Sequence, residues 1–462
     1  MKIINFLFVV FPLFLSAQIS GTWHTAFTVM GTTHRMDLEI QNDPNDQQVF
    51  LSDPDSEKVK HVKMDKVILT DSTVSFLFTK VGLSFKGNYY PKGDSLHGTM
   101  SQMDIRWGAT FRREEQQKIT INRPQEPKPP FAYPVEEIMI ENGDVSLGAT
   151  LTLPKNAGND FPIVVLASGS GPQDRDCDLL GHKTFLVIAD YFARNGIGCL
   201  RFDDRGTGKS TGVYNQASLK DFASDVKACV TFLSNDPRFA DNPIGLAGHS
   251  EGGMHALMAA ARNKDVCFII ELASVGTTGR DVLVEQQYLI PKTNGKTEEY
   301  AVWNRDLYSG VCEILAKYNA DNVVDPLNAF LDKHYEIAPA EIKEGNNPVN
   351  FKLAMHIFLN NQWGREFVVY DAKTYLKRSK IPILAINGSQ DIQVPPTSNS
   401  QGFEQNFSKR SRPNSKAIIF QGLNHLLQPC KACTITEYGE IETTISEEVL
   451  DQMRDWIKGL NL

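Results

Sequence analysis

Gly248-His249-Ser250-Glu251-Gly252-Gly253 places a serine midway between two glycines. A serine hydroxyl is a weak nucleophile by itself. Chemistry at Ser250 needs an imidazole to take its proton and a carboxylate to orient that imidazole. Both residue types follow in the order serine, acid, histidine: Asp391 closes Asn387-Gly388-Ser389-Gln390-Asp391, and His425 closes Gln421-Gly422-Leu423-Asn424-His425. Asp371, His334 and His356 compete for the same roles, but they lie in or beside a helical insertion. Ser250, Asp391 and His425 could together attack a carbonyl, and the resulting oxyanion would need two backbone N–H donors. One is the N–H of Glu251, directly after the serine. The other comes from Ser168-Gly169-Ser170-Gly171-Pro172, where Ser170 is the first choice and Gly171 the alternative.

These residues need elements to hold them. Phe161–Ala167, Ile197–Phe202, Ile244–Ala247 and Val266–Leu272 are continuous apolar runs of strand length. Helical spacing separates them over Thr184–Asn195, Leu219–Leu233 and Met254–Ala261. Apolar strands alternating with helices predict a parallel sheet covered on both faces. Ile381–Ile386, Lys416–Phe420 and a closing helix Ser446–Leu460 complete it. Ser250 then sits at a strand-to-helix turn, a corner sharp enough to demand glycine at 248 and 252. Asp391 and His425 leave the carboxyl ends of strands, where ligands bind in open α/β sheets.

About 100 mostly helical residues, 277–375, interrupt the sheet and predict a lid over Ser250. Within it, Trp363, Arg365 and Phe367 are the candidates for lining a substrate pocket. Two other motifs resemble phosphate sites. Gly206-Thr207-Gly208-Lys209-Ser210 ends like a phosphate-binding loop, but Asp203 stands where its first glycine belongs. Asp203, Asp204 and Arg205 instead suggest a loop braced by charge pairing. Gly169-Ser170-Gly171 has Asp174 where a dinucleotide fingerprint needs a third glycine.

Upstream, the pattern changes. Residues 18–118 alternate as short strands, with turns at Asn42–Asn45, Ser52–Asp55 and Tyr90–Asp94, which predicts a small all-β domain. His24, His34, His61 and His97 are scattered through it without ligand spacing. Residues 119–134 hold Arg123-Pro124-Gln125-Glu126-Pro127-Lys128-Pro129-Pro130, a stiff extended linker that sets the domain boundary. Residues 135–462 form the catalytic domain. Lys2 followed by the apolar Ile3–Leu15 and small residues at Ser16 and Ala17 reads as a signal peptide, residues 1–17, which predicts a periplasmic or secreted protein.

The 462 residues carry 47 Lys+Arg against 55 Asp+Glu, a net −8 with no basic block, so neither nucleic acid nor an anionic membrane is a natural partner. No later run is long and apolar enough to cross a bilayer. Seven cysteines lie mostly in apolar runs. Cys430-Lys431-Ala432-Cys433 reads as a loop disulfide or two idle thiols, since a zinc site would need a second ligand pair. No metal or cofactor site is expected.

Several motifs taken together, Gly169–Asp176, Gly181-His182-Lys183, Arg201–Ser210, Gly248–Gly253, Asn387–Asp391 and Gly422–His425, give residues 135–462 a resemblance. The chain resembles the α/β-hydrolase superfamily, in particular exported bacterial serine esterases and serine aminopeptidase-like proteins with an added N-terminal β domain. That resemblance implies an α/β-hydrolase fold with a helical lid. It also implies hydrolysis of a small-molecule carboxylic ester through an acyl-enzyme, without a cofactor, and the first reading is a serine carboxylesterase for short or medium acyl, or aryl, esters. Relatives usually have His-Gly in the oxyanion loop, where this chain has Ser168-Gly169. A peptidase on the same triad is the second reading. It would need an acid for the substrate amine, for which Glu298, Glu299 and Glu366 are candidates. A binding protein on an inactive hydrolase fold is the third reading. The sequence leaves the natural substrate, the role of the β domain and the oligomeric state open.

Overall fold

A computed structural model describes residues 19–462, apart from short stretches at 30–31, 44, 57–58, 80–81, 103–104, 116–120, 156–159, 346 and 461. The segment read as a signal peptide lies outside the described residues. The chain divides into two compact units, Met1–Thr120 and Ile121–Leu462.

The first unit is a single antiparallel sheet. Its strands are β1 (Gly21–Val29), β2 (Thr32–Asp43), β3 (Asp46–Ser52), β4 (Val62–Lys63), β5 (Lys66–Leu69), β6 (Thr73–Phe78), β7 (Leu83–Tyr90), β8 (Ser95–Gln102) and β9 (Ile105–Arg112). They are ordered β4-β3-β2-β1-β9-β8-β7-β6-β5, so the two end strands are consecutive in sequence and the sheet curls towards itself. Two residues bridge the gap: Met64 N donates to Val49 O at 2.9 Å and Asp65 N to Leu77 O at 3.0 Å. Period-two alternation sends Val74, Phe76, Phe85, Met100 and Phe111 inwards around Trp23, whose indole N–H donates to Ile19 O at 2.8 Å. The histidines have separate local partners: Asp37 for His24, Glu39 for His61, and Ser95 with Thr110 for His97.

In the second unit, β10 (Val135–Asn142), β11 (Val145–Thr152), β12 (Ile163–Ala167), β15 (Gly198–Phe202), β16 (Ile244–His249), β17 (Val266–Leu272), β18 (Ile383–Gly388) and β19 (Lys416–Phe420) make one sheet. A two-residue hairpin, β13 (Asp178–Leu179) with β14 (His182–Lys183), stands apart. The sheet order is β10-β11-β15-β12-β16-β17-β18-β19, with every pair from β15 to β19 parallel. Because successive side chains alternate faces, Ile163, Val165 and Ala167 enter one core while Val164 and Leu166 enter the other. Helices α2 (Leu219–Asn235), α3 (Glu251–Ala260) and α11 (Pro396–Asn406) cover the first face, and α1 (Thr184–Arg194) and α12 (Glu447–Lys458) the second. Ser218 starts α2 with a reciprocal capping box to Asp221. This is the α/β-hydrolase arrangement.

Between β17 and β18 the insertion forms seven helices: α4 (Gly279–Thr293), α5 (Glu298–Lys317), α6 (Val324–Glu336), α7 (Ala340–Gly345), α8 (Pro348–Leu359), α9 (Gln362–Val369) and α10 (Ala372–Leu376). The proline-rich segment from residue 121 is strapped to the second unit rather than hanging free. Arg123 Nε donates to Gly181 O at 3.0 Å, Gln125 exchanges hydrogen bonds with Thr444 and Ile445, and Tyr133 OH donates to Asp190 at 2.7 Å.

Candidate active site

Ser250 stands between β16 and α3 with φ 55° and ψ −123°, a backbone conformation that a side chain rarely adopts. The glycines around it have local steric causes. A Cβ at Gly248 would lie 2.3 Å from the backbone of Gly252 and Gly253, and one at Gly252 would lie 2.1 Å from Ala167 O. The turn is pinned by Ser250 N donating to Leu272 O at 2.8 Å. Gly253, one residue beyond the short motif, has a different cause: its Cβ would fall 1.9 Å from a Glu271 carboxyl oxygen.

Asp391 leaves β18 and His425 follows β19, and the two meet. His425 Nδ1 lies 2.9 Å from Asp391 Oδ2, with both side chains buried. The other Asp391 oxygen accepts from Gln393 N and Val394 N, each at 2.8 Å. With Nδ1–H given to the carboxylate, Nε2 is left as the acceptor of the ring. His249 packs against this histidine, ring centroids 4.9 Å apart, and its Nε2 lies 3.0 Å from His425 O. Burial holds the His249 ring neutral, its pKa pushed down to about 3.

Ser250 and His425 line one cavity of about 140 Å³, together with Ser170, Glu251, Gly169, Val282, Phe367 and Gln393. That volume is below the roughly 300–1,000 Å³ of pockets for drug-sized ligands. Glu251 opens α3, where first-turn N–H groups have no partner within the helix. Its carboxylate is buried and accepts from Ser170 Oγ at 2.5 Å and Trp363 Nε1 at 2.8 Å, with His255 Nε2 at 3.2 Å. Burial alone would raise its pKa, but these partners hold it below the ordinary glutamate value.

The loop carrying Ser170 is held from below. Asp204 accepts from Ser168 Oγ at 2.5 Å and Gln173 N at 2.9 Å. Burial raises Asp204 to about 7, against the lowering pull of these donors and of His255. Its neighbours are charge-paired: Asp203 with Arg175 Nη2 at 2.7 Å, and Arg205 Nε with Asp225 at 2.7 Å. The loop that resembles a phosphate site wraps its own aspartate, since Lys209 N donates to Asp203 Oδ2 at 2.8 Å. His182, from the Gly181-His182-Lys183 motif, bonds Tyr438 O and Thr444 Oγ1 and so anchors the segment beyond His425.

The three lid candidates part company. Phe367 lines the cavity, while Trp363 reaches it through the Glu251 carboxylate. Arg365 is not among the cavity residues: it turns into the lid, towards Tyr318 O and Asn360. Of the acids considered for an amine, Glu298 pairs with Lys292 and Glu366 with Lys220, and no Glu298, Glu299 or Glu366 atom lines this cavity. Glu251, His255, Gln173 and Gln393 were not singled out from sequence for side-chain roles. His255 had a signal, standing four residues after Glu251 on the same helix face. Cys430 and Cys433 form a disulfide at the end of the His425 loop, where Cys430 N donates to Gly422 O at 3.1 Å. Among the described residues, Cys430, Cys433 and Glu437 are the one group with metal-ligand spacing, and the disulfide takes both thiols. No helix among the described residues is long and apolar enough to cross a membrane.

Residues 142–426 match the family described as X-Pro dipeptidyl-peptidase (S15 family). Esterase EstD of Thermotoga maritima is 26% identical over 67% of this chain, which spans 65% of EstD's own length. The bifunctional esterase/perhydrolase DCH of Acinetobacter calcoaceticus is 25% identical over 58% of this chain and 91% of its own. The solved Pyrococcus furiosus esterase Pf2001 aligns over 71% of this chain and 93% of its own, with 17% identity and a TM-score of 0.41. With its match covering more than half of the sequence, the chain belongs to the X-Pro dipeptidyl-peptidase (S15) family.

Proposed function

We propose that the protein is a serine carboxylesterase for small, uncharged acyl groups. Ser250 is the nucleophile, His425 the general base and acid, and Asp391 the carboxylate that orients His425. The observation that carries this reading is the shared cavity: a strained serine and a carboxylate-held imidazole open onto the same small space. His425 takes the Ser250 proton as the hydroxyl attacks the ester carbonyl. The developing oxyanion rests on the N–H groups of Glu251 and Ser170. The imidazolium, steadied by Asp391, protonates the leaving alcohol, and water repeats the sequence to release the acid.

The family name and the shared triad also support a peptidase. The cavity lining favours the ester, because its one acidic side chain, Glu251, is already committed to three neighbours. A substrate ammonium would find no free carboxylate there. Turnover of p-nitrophenyl acetate beside aminoacyl-anilides, by wild type and Ser250→Ala, tests both readings. Ester turnover lost in the variant supports the proposal. Faster cleavage of the anilides would favour the peptidase, and ester turnover surviving Ser250→Ala would overturn the serine mechanism.

A further inference from the structure

The triad chemistry uses the backbone N–H of Glu251 and leaves its side chain without a task. A carboxylate on the residue that stabilises an oxyanion is an awkward neighbour. Two negative charges close together in a water-poor site repel strongly, and Glu251 is only 2% exposed, so solvent does not screen it. An apolar residue would avoid the repulsion. What the carboxylate adds is its set of partners, which come from separate parts of the fold. Ser170 belongs to the loop after β12, Trp363 to lid helix α9, and His255 to α3 itself.

Helix α9 is a defined body at this point. Asn361 caps it by accepting from Gly364 N at 2.8 Å. Trp363 packs against Phe367 with the rings tilted, 5.2 Å between centroids, and Phe367 is part of the cavity wall. Seating Trp363 on Glu251 therefore also sets the wall. On the other side, the Ser170 hydroxyl bond fixes the residue whose N–H serves as the second oxyanion donor.

We infer that the Glu251 side chain is a positioning residue that fastens the oxyanion loop and lid helix α9 to the nucleophile turn, so that the oxyanion hole and the acyl wall are assembled as one unit. This inference rests on the Ser250–His425–Asp391 reading. It gives the Glu251 side chain a function distinct from that reading. The same tie makes acyl size depend on α9: with Trp363 released, Phe367 loses its fixed place and the preference between acetyl and longer acyl esters relaxes.

The test is a set of variants, Glu251→Gln, Trp363→Phe and Ser170→Ala, singly and in pairs, assayed on p-nitrophenyl acetate and p-nitrophenyl butyrate. An amide oxygen cannot replace two carboxylate oxygens, so Glu251→Gln should lower kcat by about 30-fold with KM changed less than about 3-fold, short of the ~10²–10³ for deleting an oxyanion donor itself. Trp363→Phe and Ser170→Ala should each cost about 3- to 10-fold, and pairing either with Glu251→Gln should cost less than the product of the two single effects, because the amide already weakens those contacts. The acetate-to-butyrate ratio of kcat/KM should move towards one in every variant lacking the Glu251–Trp363 bond. Melting curves check folding. If Glu251→Gln does not fold, the Trp363→Phe/Ser170→Ala pair decides, since coupling between those two residues runs through Glu251. Additive effects in the pairs, or an unchanged kcat in Glu251→Gln, overturn the inference. Ser250→Ala is run alongside: turnover surviving there defeats the mechanism itself, whereas an inactive Ser250→Ala with a fully active Glu251→Gln defeats only the positioning role.

Discussion

Two glutamates flank the same turn and have opposite fates. Glu251 begins α3, and Glu271 sits in β17, beside Gly248 in the sheet register and against Gly253. Both are out of solvent, at 2% and 0% exposure. Glu251 has three polar partners from three places and is held below the ordinary glutamate pKa. Neither carboxyl oxygen of Glu271 makes a well-formed hydrogen bond among the described residues; the adjacent Ser274 hydroxyl is the one group that favours its charge, and the Tyr370 hydroxyl is also without a well-formed partner. Burial pushes Glu271 well above the ordinary value, which favours the neutral acid. Burial sets the penalty for charge, and donors decide whether the charge is kept. The charged glutamate faces the cavity and the neutral one backs the turn, so one has a bearing on chemistry and the other on packing.

Steric substitutions separate the two sides most sharply. Gly252→Ala puts a methyl into backbone oxygens, whereas Gly253→Ala puts one into the Glu271 carboxyl and the Ser274 side chain. Overpacking of this kind costs about 1–3 kcal/mol. Thermal melts should show Gly253→Ala partly rescued by adding Glu271→Ala, and Gly252→Ala not rescued by it. Equal rescue of both would break the assignment of the clash.

The conservative pair comes next. Glu271→Gln should leave kcat within about 2-fold and, at a pH low enough for the carboxyl to be protonated in both the folded and unfolded chain, stability within about 1 kcal/mol, since one neutral buried group then replaces another. Steady-state kinetics on Glu251→Gln should instead show the loss in kcat described above. If the two amide variants behaved alike, the contrast between the sites would fail.

Acid titration sharpens it further. The folded-state pKa of Glu271 is raised, so its stabilising contribution is complete below about 4.5 and is lost as pH rises through the folded value. The melting temperature of Glu271→Gln should therefore gain on wild type from pH 5 to pH 8. Buried histidines act in the other direction. His182 and His249 are lowered from 6.5 to about 4 and about 3, so their contribution is complete above 6.5 and is lost as pH falls. At pH 5 each should cost about 2 kcal/mol. A gap between variant and wild type that stays constant with pH would mean that Glu271 is not held neutral.

The smallest expected effect is at the lid. Asn361→Ala removes the α9 cap and should cost about 1 kcal/mol, with a change in kcat smaller than that of Trp363→Phe. A larger change in kcat would mean that α9 is held by its cap rather than by Glu251.

What could be read in advance divides along a physical line. The serine turn was legible because its glycines answer to a backbone contact four residues away, between 248 and 252. The meeting of Asp391 and His425 was legible because loops leaving strand ends converge on one edge of an open α/β sheet. The Glu251 contacts were not, since Ser170 and Trp363 lie 81 and 112 residues from it in sequence. Glu271 looks like one polar residue near the end of an apolar strand, and nothing local marks it as buried and unpaired. Arg365 was chosen for its place beside aromatics, but a long side chain on α9 can reach back into the lid, and this one does. The proline-rich stretch showed its stiffness but not its anchors, which are 50 or more residues distant in sequence.

Covalent trapping tests the central claim most directly. A fluorophosphonate should add once per chain, and peptide mass spectrometry should place the adduct on Ser250. Labelling should be lost in Ser250→Ala and strongly slowed in His425→Ala. An adduct on another residue, or Ser250→Ala labelled at the wild-type rate, would contradict the account.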